Sequence, residues 1–195
     1  MIKKWVITGA LAFGLLVSAP VSGFAAMGDH TLRPGTWDND VYELQGKLKA
    51  LGFYDFAVTT GYYGPVTKQA VTDYQRAKSL SVDGIAGPQT FNSIQNNVTK
   101  KSMTVAATAY TASCEGCSGT TFNGTNLKEI PYAKVIAVDP NVIPIGSVVY
   151  VPGYGYAVAD DTGGGINGNE IDIFMKNYSD AINWGRKSVN ITIIN

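Results

Sequence analysis

The spacing of apolar residues changes once along the chain. Over 40–96 apolar residues recur every three or four positions, as on the buried face of a helix. From residue 104 onward the period becomes two, in short runs rich in Val, Ile and Tyr that are typical of strands. The polar segment 97–103 separates the two patterns and is interpreted as a linker. The pattern therefore predicts a helical domain at 40–96 and a β domain at 104–195.

The helical part contains an internal repeat. Segments 61–67 and 84–90 both follow the pattern Gly-x-x-Gly-Pro-x-Thr, 23 positions apart. Gly permits unusual turn dihedrals, and Pro suits the first position of a helix, where its missing N–H costs nothing. We expect three helices, with starts near Asp40, Pro65 and Pro88. Asp40 or Asn39 is expected to cap the first.

This segment resembles a known wall-binding module. The repeat, together with Leu51-Gly52-Phe53-Tyr54 and Val82-Asp83-Gly84, is similar to the small three-helix peptidoglycan-binding domain appended to many bacterial wall enzymes. The resemblance covers about 40–95 and implies binding to the wall glycan or its peptide. Phe53, Tyr62 and Tyr63 lie near one turn and are candidates for a binding groove, although each taken singly suits a core position better.

The β part predicts a compact barrel. We expect six strands, at 104–111, 134–138, 147–151, 156–160, 170–174 and 190–194. Turns rich in Pro and Gly separate them, and six short strands are too few for a large sandwich. One helix is expected at 179–184, capped by Ser179.

Acidic residues stand out at the ends and middle of these strands. Asp139 precedes a Pro, Asp160 and Asp161 precede Thr162 and three glycines, and Asp172 lies between two Ile residues. In an alternating strand Asp172 points away from those Ile side chains. If it faces the barrel interior, desolvation raises its pKa, as a general acid requires; if it faces outward, it is a solvated surface carboxylate.

A second resemblance rests on these motifs. They are Thr108-Ala109-Tyr110-Thr111, Val138-Asp139-Pro140, Asp160-Asp161-Thr162-Gly163-Gly164 and Glu170-Ile171-Asp172. From about residue 106 to 194 the chain resembles the three-aspartate (3D) domain, which is similar to the barrel of the MltA-type lytic transglycosylases and of stationary-phase survival muralytic factors. The resemblance implies a six-stranded double-psi β-barrel.

The same resemblance implies cleavage of the glycan strand of peptidoglycan at the bond between N-acetylmuramic acid and N-acetylglucosamine, without water. Asp172 corresponds to the catalytic acid, and Asp161 and Asp139 to the two other aspartates. Residues expected to contact substrate are Tyr110, Thr111, Thr162, Gly163 and Gly164, with Tyr154 or Tyr156 as a sugar-stacking face. The sequence leaves open whether Asp160 or Asp161 points into the site. Asn167 stands where the family often has Lys.

Two other functions fit the same residues. A true glycoside hydrolase would use a second carboxylate, from Asp161, Asp139 or Glu115, to activate water. A wall-binding or expansin-like module would use the same barrel without catalysis. The product and the effect of Asp172→Asn distinguish these alternatives.

The N-terminus indicates export. Residues 1–26 contain two Lys, an apolar run and small residues in the order of a secretory signal peptide. The run is shorter than the roughly 20 residues that a membrane-spanning helix needs. We therefore expect cleavage near residue 26, an N-terminal arm at 27–39, and a secreted protein that associates with the cell wall and not with the membrane.

Composition narrows the chemistry further. With 15 basic and 15 acidic residues, the chain offers no electrostatic case for nucleic acid. The single His, His30, disfavours zinc peptidases and Ser or Cys hydrolases, so acid-base chemistry should rest on carboxylates, with no metal or cofactor. Cys114 and Cys117 are expected to form a local disulfide, with free thiols as the alternative. We expect a monomer.

Overall fold

The computed structural model describes residues 31–113 and 118–195. The predicted signal peptide at 1–26, His30 and the predicted disulfide between Cys114 and Cys117 lie outside the described residues. Within the described ranges, no helix combines the length and the apolar character needed to cross a bilayer.

Three helices form the N-terminal domain: α1 (Asn39–Ala50), α2 (Pro65–Ala77) and α3 (Pro88–Asn97). The predicted starts at Pro65 and Pro88 are confirmed. The predicted cap of α1 is wrong, because the N-cap is Asp38, whose carboxylate accepts a hydrogen bond from the Asp40 backbone N–H. The residues of the domain core come from all three helices and the turns between them: Leu32, Val41, Leu44, Leu48, Tyr54, Tyr63, Ala70, Val71, Tyr74, Ala86, Phe91 and Ile94.

A buried glutamine organises each copy of the repeated turn. The Gln45 side chain donates to the Tyr62 carbonyl and to Thr67 Oγ1, both at 2.9 Å. Gln75 binds the equivalent atoms 23 positions later, the Ile85 carbonyl at 2.9 Å and Thr90 Oγ1 at 3.1 Å. Each Gln also accepts backbone N–H groups of its turn, those of Thr60 and Gly61 or of Asp83 and Gly84. The repeat is therefore conserved between its two copies in hydrogen bonding as well as in sequence.

Six strands form the second domain: β1 (Lys100–Tyr110), β2 (Val135–Val138), β3 (Val148–Val151), β4 (Gly155–Asp161), β5 (Glu170–Phe174) and β6 (Lys187–Ile194). They close into a barrel in the order β1-β5-β2-β4-β3-β6. β1 with β5 and β2 with β4 are parallel pairs, and the others are antiparallel. The predicted fold class, a three-helix domain followed by a six-stranded barrel, is confirmed.

The first strand and the helix of the barrel differ from the prediction. β1 begins at Lys100, because residues 100–102 pair with the last residues of β6 although their side chains are polar. Only two residues therefore separate α3 from β1, where the sequence predicted a linker over 97–103. Helix α4 (Tyr178–Trp184) follows Asn177 as N-cap, so Ser179 is not its cap.

Helix α1 packs directly on the barrel. Gly46 makes this contact close, since a Cβ atom at this position would lie 3.1 Å from Val148 Cγ1. The Tyr156 hydroxyl donates to Glu43 Oε1 at 3.1 Å, and Thr59 forms an isolated β-bridge with Lys134. The two domains are thus joined by packing and by hydrogen bonds as well as by the chain.

Candidate active site

Four residues form a row across neighbouring strands on the outer face of the barrel. Thr108 of β1 pairs with Asp172 of β5, Asp172 with Ala137 of β2, and Ala137 with Asp161 of β4. Directly paired residues point to the same face of a sheet. The small, buried Ala137 side chain therefore lies between the two carboxylates.

Asp172 lies on the outer face and is half-buried. Its neighbours Ile171 and Ile173 are fully buried in the barrel core, so Asp172 points away from the interior. The Thr108 hydroxyl donates to Asp172 Oδ1 at 2.9 Å. Burial raises the pKa of Asp172, and the nearby Asp161 raises it further, while the Thr108 hydrogen bond opposes the shift. The sequence offered two alternatives for Asp172, an inward carboxylate with a raised pKa and an outward, solvated carboxylate. The structure differs from both, since Asp172 points outward and is still partly shielded from water.

A β-bulge distinguishes Asp160 from Asp161. Between Ile136 and Ala137 the register with β4 shifts by one residue, which pairs Ala137 with Asp161. Asp160 is fully buried and accepts hydrogen bonds from Thr121 Oγ1 at 2.7 Å and Asn123 Nδ2 at 2.9 Å. Asp160 therefore holds the loop before β2, and Asp161 is the carboxylate of the row.

Asp161 is fixed by three donors. The Tyr110 hydroxyl donates to its Oδ2 at 2.9 Å, and the Phe122 and Thr162 backbone N–H groups donate to its Oδ1 at 2.9 and 2.8 Å. Burial and the Asp161 charge raise the pKa of Tyr110 strongly, so its phenol stays protonated and remains a donor. Asp161 is thus an anchored carboxylate beside Asp172.

Asp139 has a different environment. Its carboxylate accepts the backbone N–H of Gly168 at 2.8 Å and both the backbone N–H and the side-chain amide of Asn141 at 3.0 Å. These hydrogen bonds, of which the one from Gly168 has the largest effect, hold the pKa of Asp139 below its usual value. Asp139 follows β2 and ties two loops together outside the row formed by Asp172 and Asp161.

The glycines after Asp161 leave part of the site open. A Cβ atom on Gly163 would lie 2.9 Å from Ile166 Cγ1, whereas one on Gly164 or Gly165 would meet nothing within 4 Å. Thr111 is half-buried directly after β1. Within residues 31–113 and 118–195, no group of three His, Cys, Asp or Glu side chains is arranged to hold a metal ion.

The expected sugar-stacking residues have structural roles. Tyr154 is buried and donates its hydroxyl to the Phe174 carbonyl at 2.6 Å, and Tyr156 lies at the contact with α1. An exposed aromatic residue near the site is instead Phe122, whose backbone N–H donates to Asp161 and whose side chain is 69% exposed. Sequence reasoning missed Phe122, because its loop is placed by Asp160, a contact between distant residues that no local pattern indicates.

Comparisons with known families agree with these two domains. Residues 134–195 match the family described as "3D domain", and residues 38–94 match the family described as "Putative peptidoglycan binding domain". The chain therefore contains a 3D domain preceded by a peptidoglycan-binding-type domain, and the resemblance stated from the sequence is confirmed.

Several curated proteins are similar over parts of the chain. YabE of Bacillus subtilis (strain 168), a putative cell wall shaping protein, is 55% identical over 124 residues, which cover 64% of this chain and 30% of YabE. The cell wall-binding protein YocH of the same organism is 58% identical over 100 residues, 51% of this chain and 35% of YocH. A spore cortex-lytic enzyme of Bacillus cereus is 34% identical over 125 residues, 64% of this chain and 44% of that enzyme. The chain thus spans about a third of the length of the first two relatives.

Proposed function

We propose that this protein is exported, binds the cell wall through its helical domain, and cleaves glycosidic bonds in the glycan strand of peptidoglycan with Asp172 as general acid and base. The observation that carries the proposal is the half-buried Asp172, whose raised pKa favours the protonated form, next to the anchored Asp161. A general acid needs this combination of a retained proton and access to a ligand.

The reaction needs one acid-base group. Protonated Asp172 gives its proton to the glycosidic oxygen while the bond from that oxygen to the anomeric carbon of muramic acid breaks. The C6 hydroxyl oxygen of the same sugar then bonds to the anomeric carbon and its proton passes to Asp172. The products are a 1,6-anhydro end and a free hydroxyl end, no water is consumed, and Asp172 regains its starting state.

The other residues of the site support this step. The Asp161 carboxylate stabilises the positive charge that develops at the anomeric carbon and favours protonated Asp172. Tyr110 and the Thr162 backbone N–H keep Asp161 in place. The exposed Phe122 ring is suited to a sugar face, and the open space beside Gly164 admits a bulky polymer. Thr111 and Gly163 are proposed to border the same groove.

Hydrolysis is the second candidate. Asp172 and Asp161 lie two strands apart, and strands are spaced by about 4.8 Å, so their backbones are roughly 10 Å apart. Such a separation can leave room for a water molecule activated by Asp161, as in inverting glycosidases. Mass spectrometry of digested peptidoglycan separates the two reactions, since hydrolysis gives a reducing muramic end and no anhydro end.

Wall binding without catalysis is the third candidate, and the names of YabE and YocH favour it. Asp172→Asn tests it directly. We expect this variant to sediment with purified sacculi like the wild type and to lose at least about a hundredfold in release of soluble fragments. Asp180→Asn, which changes an exposed carboxylate in α4, is the matched control and should cleave normally. Equal cleavage by Asp172→Asn and the wild type would refute the catalytic role.

A further inference from the structure

Three exposed aromatic side chains meet where the helical domain contacts the barrel. Trp37, Tyr62 and Tyr132 form this group, named the aromatic cluster. The Trp37 and Tyr62 ring centroids lie 4.7 Å apart with planes at 27°, and Tyr132 meets Trp37 edge-on at 5.3 Å. Their exposed fractions are 58%, 37% and 44%. Large apolar rings gathered in water are typical of an interaction surface.

Contacts from both domains hold the rings in place. Trp37 and Tyr62 are backbone partners in an isolated β-bridge, and the Tyr62 ring lies over Gly64, where a Cβ atom would be 3.0 Å away. On the barrel side, the Tyr42 hydroxyl of α1 donates to the Tyr132 carbonyl at 2.7 Å. A ligand would therefore meet a surface that is already ordered, which lowers the entropic cost of binding.

The chemistry of the cluster matches a sugar ring. Aromatic faces carry partial negative charge and attract the C–H groups on one side of a pyranose ring. At the rim, the Tyr62 and Tyr132 hydroxyls and the Trp37 indole N–H have no hydrogen-bond partner among residues 31–113 and 118–195. These groups can bind the hydroxyl and acetamido groups at the edge of the same ring. The cluster contains no charged side chain, which suits a neutral ligand.

We propose that the aromatic cluster binds a sugar ring of the peptidoglycan glycan strand, as a contact separate from the row of Asp172 and Asp161. This inference rests on the proposed wall function and locates part of the binding surface. Tyr132 lies before β2, and the row crosses β2 at Ala137, five residues further along the chain.

The structure also shows which of the three aromatic candidates of the helical domain, Phe53, Tyr62 and Tyr63, is accessible to a ligand. Tyr63 is fully buried and donates its hydroxyl to the Gly84 carbonyl at 2.8 Å. Phe53 packs edge-on against Tyr74 at 5.2 Å. Of the three candidates named from the sequence, Tyr62 is therefore the one available to a ligand, together with Trp37 and Tyr132, which the sequence did not indicate.

The test compares variants from both domains in the full protein. Trp37→Ala and Tyr132→Ala each remove one ring, and Tyr178→Ala removes a 72% exposed ring at the start of α4 as the matched control. Binding is measured by co-sedimentation with purified sacculi and by calorimetric titration with a soluble N-acetylglucosamine tetramer. We expect at least about fivefold weaker binding for the two cluster variants in both assays, and no change for Tyr178→Ala. Thermal unfolding confirms that each variant is folded.

The outcomes separate this inference from the proposed function. If the wild type sediments with sacculi and both cluster variants bind equally well, the cluster role is wrong and wall binding stands. If the wild type does not sediment with sacculi, both the proposed wall function and the inference about the aromatic cluster are refuted. A change from dimer to monomer in Trp37→Ala, with sacculus binding unchanged, would identify the cluster as a contact between copies and overturn the inference. Asp172→Asn should bind normally, which distinguishes loss of binding from loss of cleavage.

Discussion

At the scale of single residues, four aspartates with similar sequence settings have different environments. Asp160 is fully buried, and Asp161 is held in the row by Tyr110. Asp172 is half-buried and accepts a hydrogen bond from Thr108, whereas Asp139 accepts the Gly168 backbone N–H and connects two loops. The chemistry of a carboxylate depends on these neighbours. The surroundings of Asp172 raise its pKa.

Asp172→Asn and Asp139→Asn should change stability in opposite directions. The pKa of Asp172 is raised, so its contribution to stability is present below the unfolded pKa and is lost as pH rises through the folded pKa. At pH 7, above the unfolded pKa, the raised pKa counts against the folded state, so we expect Asp172→Asn to raise Tm. Near pH 3 the difference should vanish, because Asp172 is then protonated.

The pKa shift of Asp139 has the opposite sign to that of Asp172. Its pKa is lowered, so its contribution is present above the unfolded pKa and is lost as pH falls through the folded pKa. Asp139→Asn should therefore lower Tm at pH 7, with a smaller effect in acid. Thermal unfolding of both variants and the wild type at pH 3 and pH 7 measures this, and a fall in Tm for Asp172→Asn at pH 7 would contradict the assigned environment.

The sequence predicted much of the row and could not predict its geometry. Asp161, Asp172 and Tyr110 were identified from motifs, and they do lie together. The choice between Asp160 and Asp161 depends on a bulge in the pairing of β2 with β4, which is a property of two strands and not of either segment. Shielding of the outward Asp172 likewise depends on side chains from other parts of the barrel.

At the scale of elements, local chemistry set some boundaries and distant pairing set others. Gly and Pro act on their own neighbours, so the starts of α2 and α3 were predictable from the repeat. The first residues of β1 were not predictable, because Lys100, Lys101 and Ser102 lack the alternation of apolar and polar residues that is typical of a strand. They are ordered by pairing with β6, at the far end of the chain.

Gln75 should be essential for its repeat unit. Its side chain accepts the backbone N–H groups of Asp83 and Gly84, and it is 1% exposed. Gln75→Ala leaves these donors without their partner in a buried turn, at a cost of about 1–3 kcal/mol each when water cannot replace it. We expect the free energy of unfolding to fall by about 2–3 kcal/mol in urea denaturation.

Gln69→Ala is the matched control for this variant. Gln69 lies on the exposed face of the same helix, and its side chain donates to Asp73 Oδ2 at 2.8 Å. Surface substitutions of this kind usually change stability by less than about 0.5 kcal/mol. Equal stability of the two variants would show that the turn does not depend on the buried amide.

At the scale of the whole molecule, the two domains share an apolar cluster as well as a polar contact. Val58, from the segment between α1 and α2, is fully buried with Val135, Phe174 and the barrel loop residue Leu127. Tyr110, the donor to Asp161, packs against the same cluster. The helical domain therefore contributes to the layer that supports the candidate active site. The change of hydrophobic period at the domain boundary gave no sign of this shared packing.

Val58→Ala tests whether the domains are stabilised together. It removes two buried methylene equivalents at about 0.8 kcal/mol each and leaves a small cavity, so we expect a loss of about 2 kcal/mol. Val66→Ala, in α2, is the control, because Val66 is 40% exposed and should lose less than about 0.5 kcal/mol. Unfolding in guanidinium is followed by resolved NMR amide signals, those of α1–α3 for the helical domain and those of β1–β6 for the barrel. Since Val58 belongs to one domain and packs in the other, both signals should shift to the same lower midpoint; a shift in the helical signal alone would mean that the barrel is stable without its neighbour.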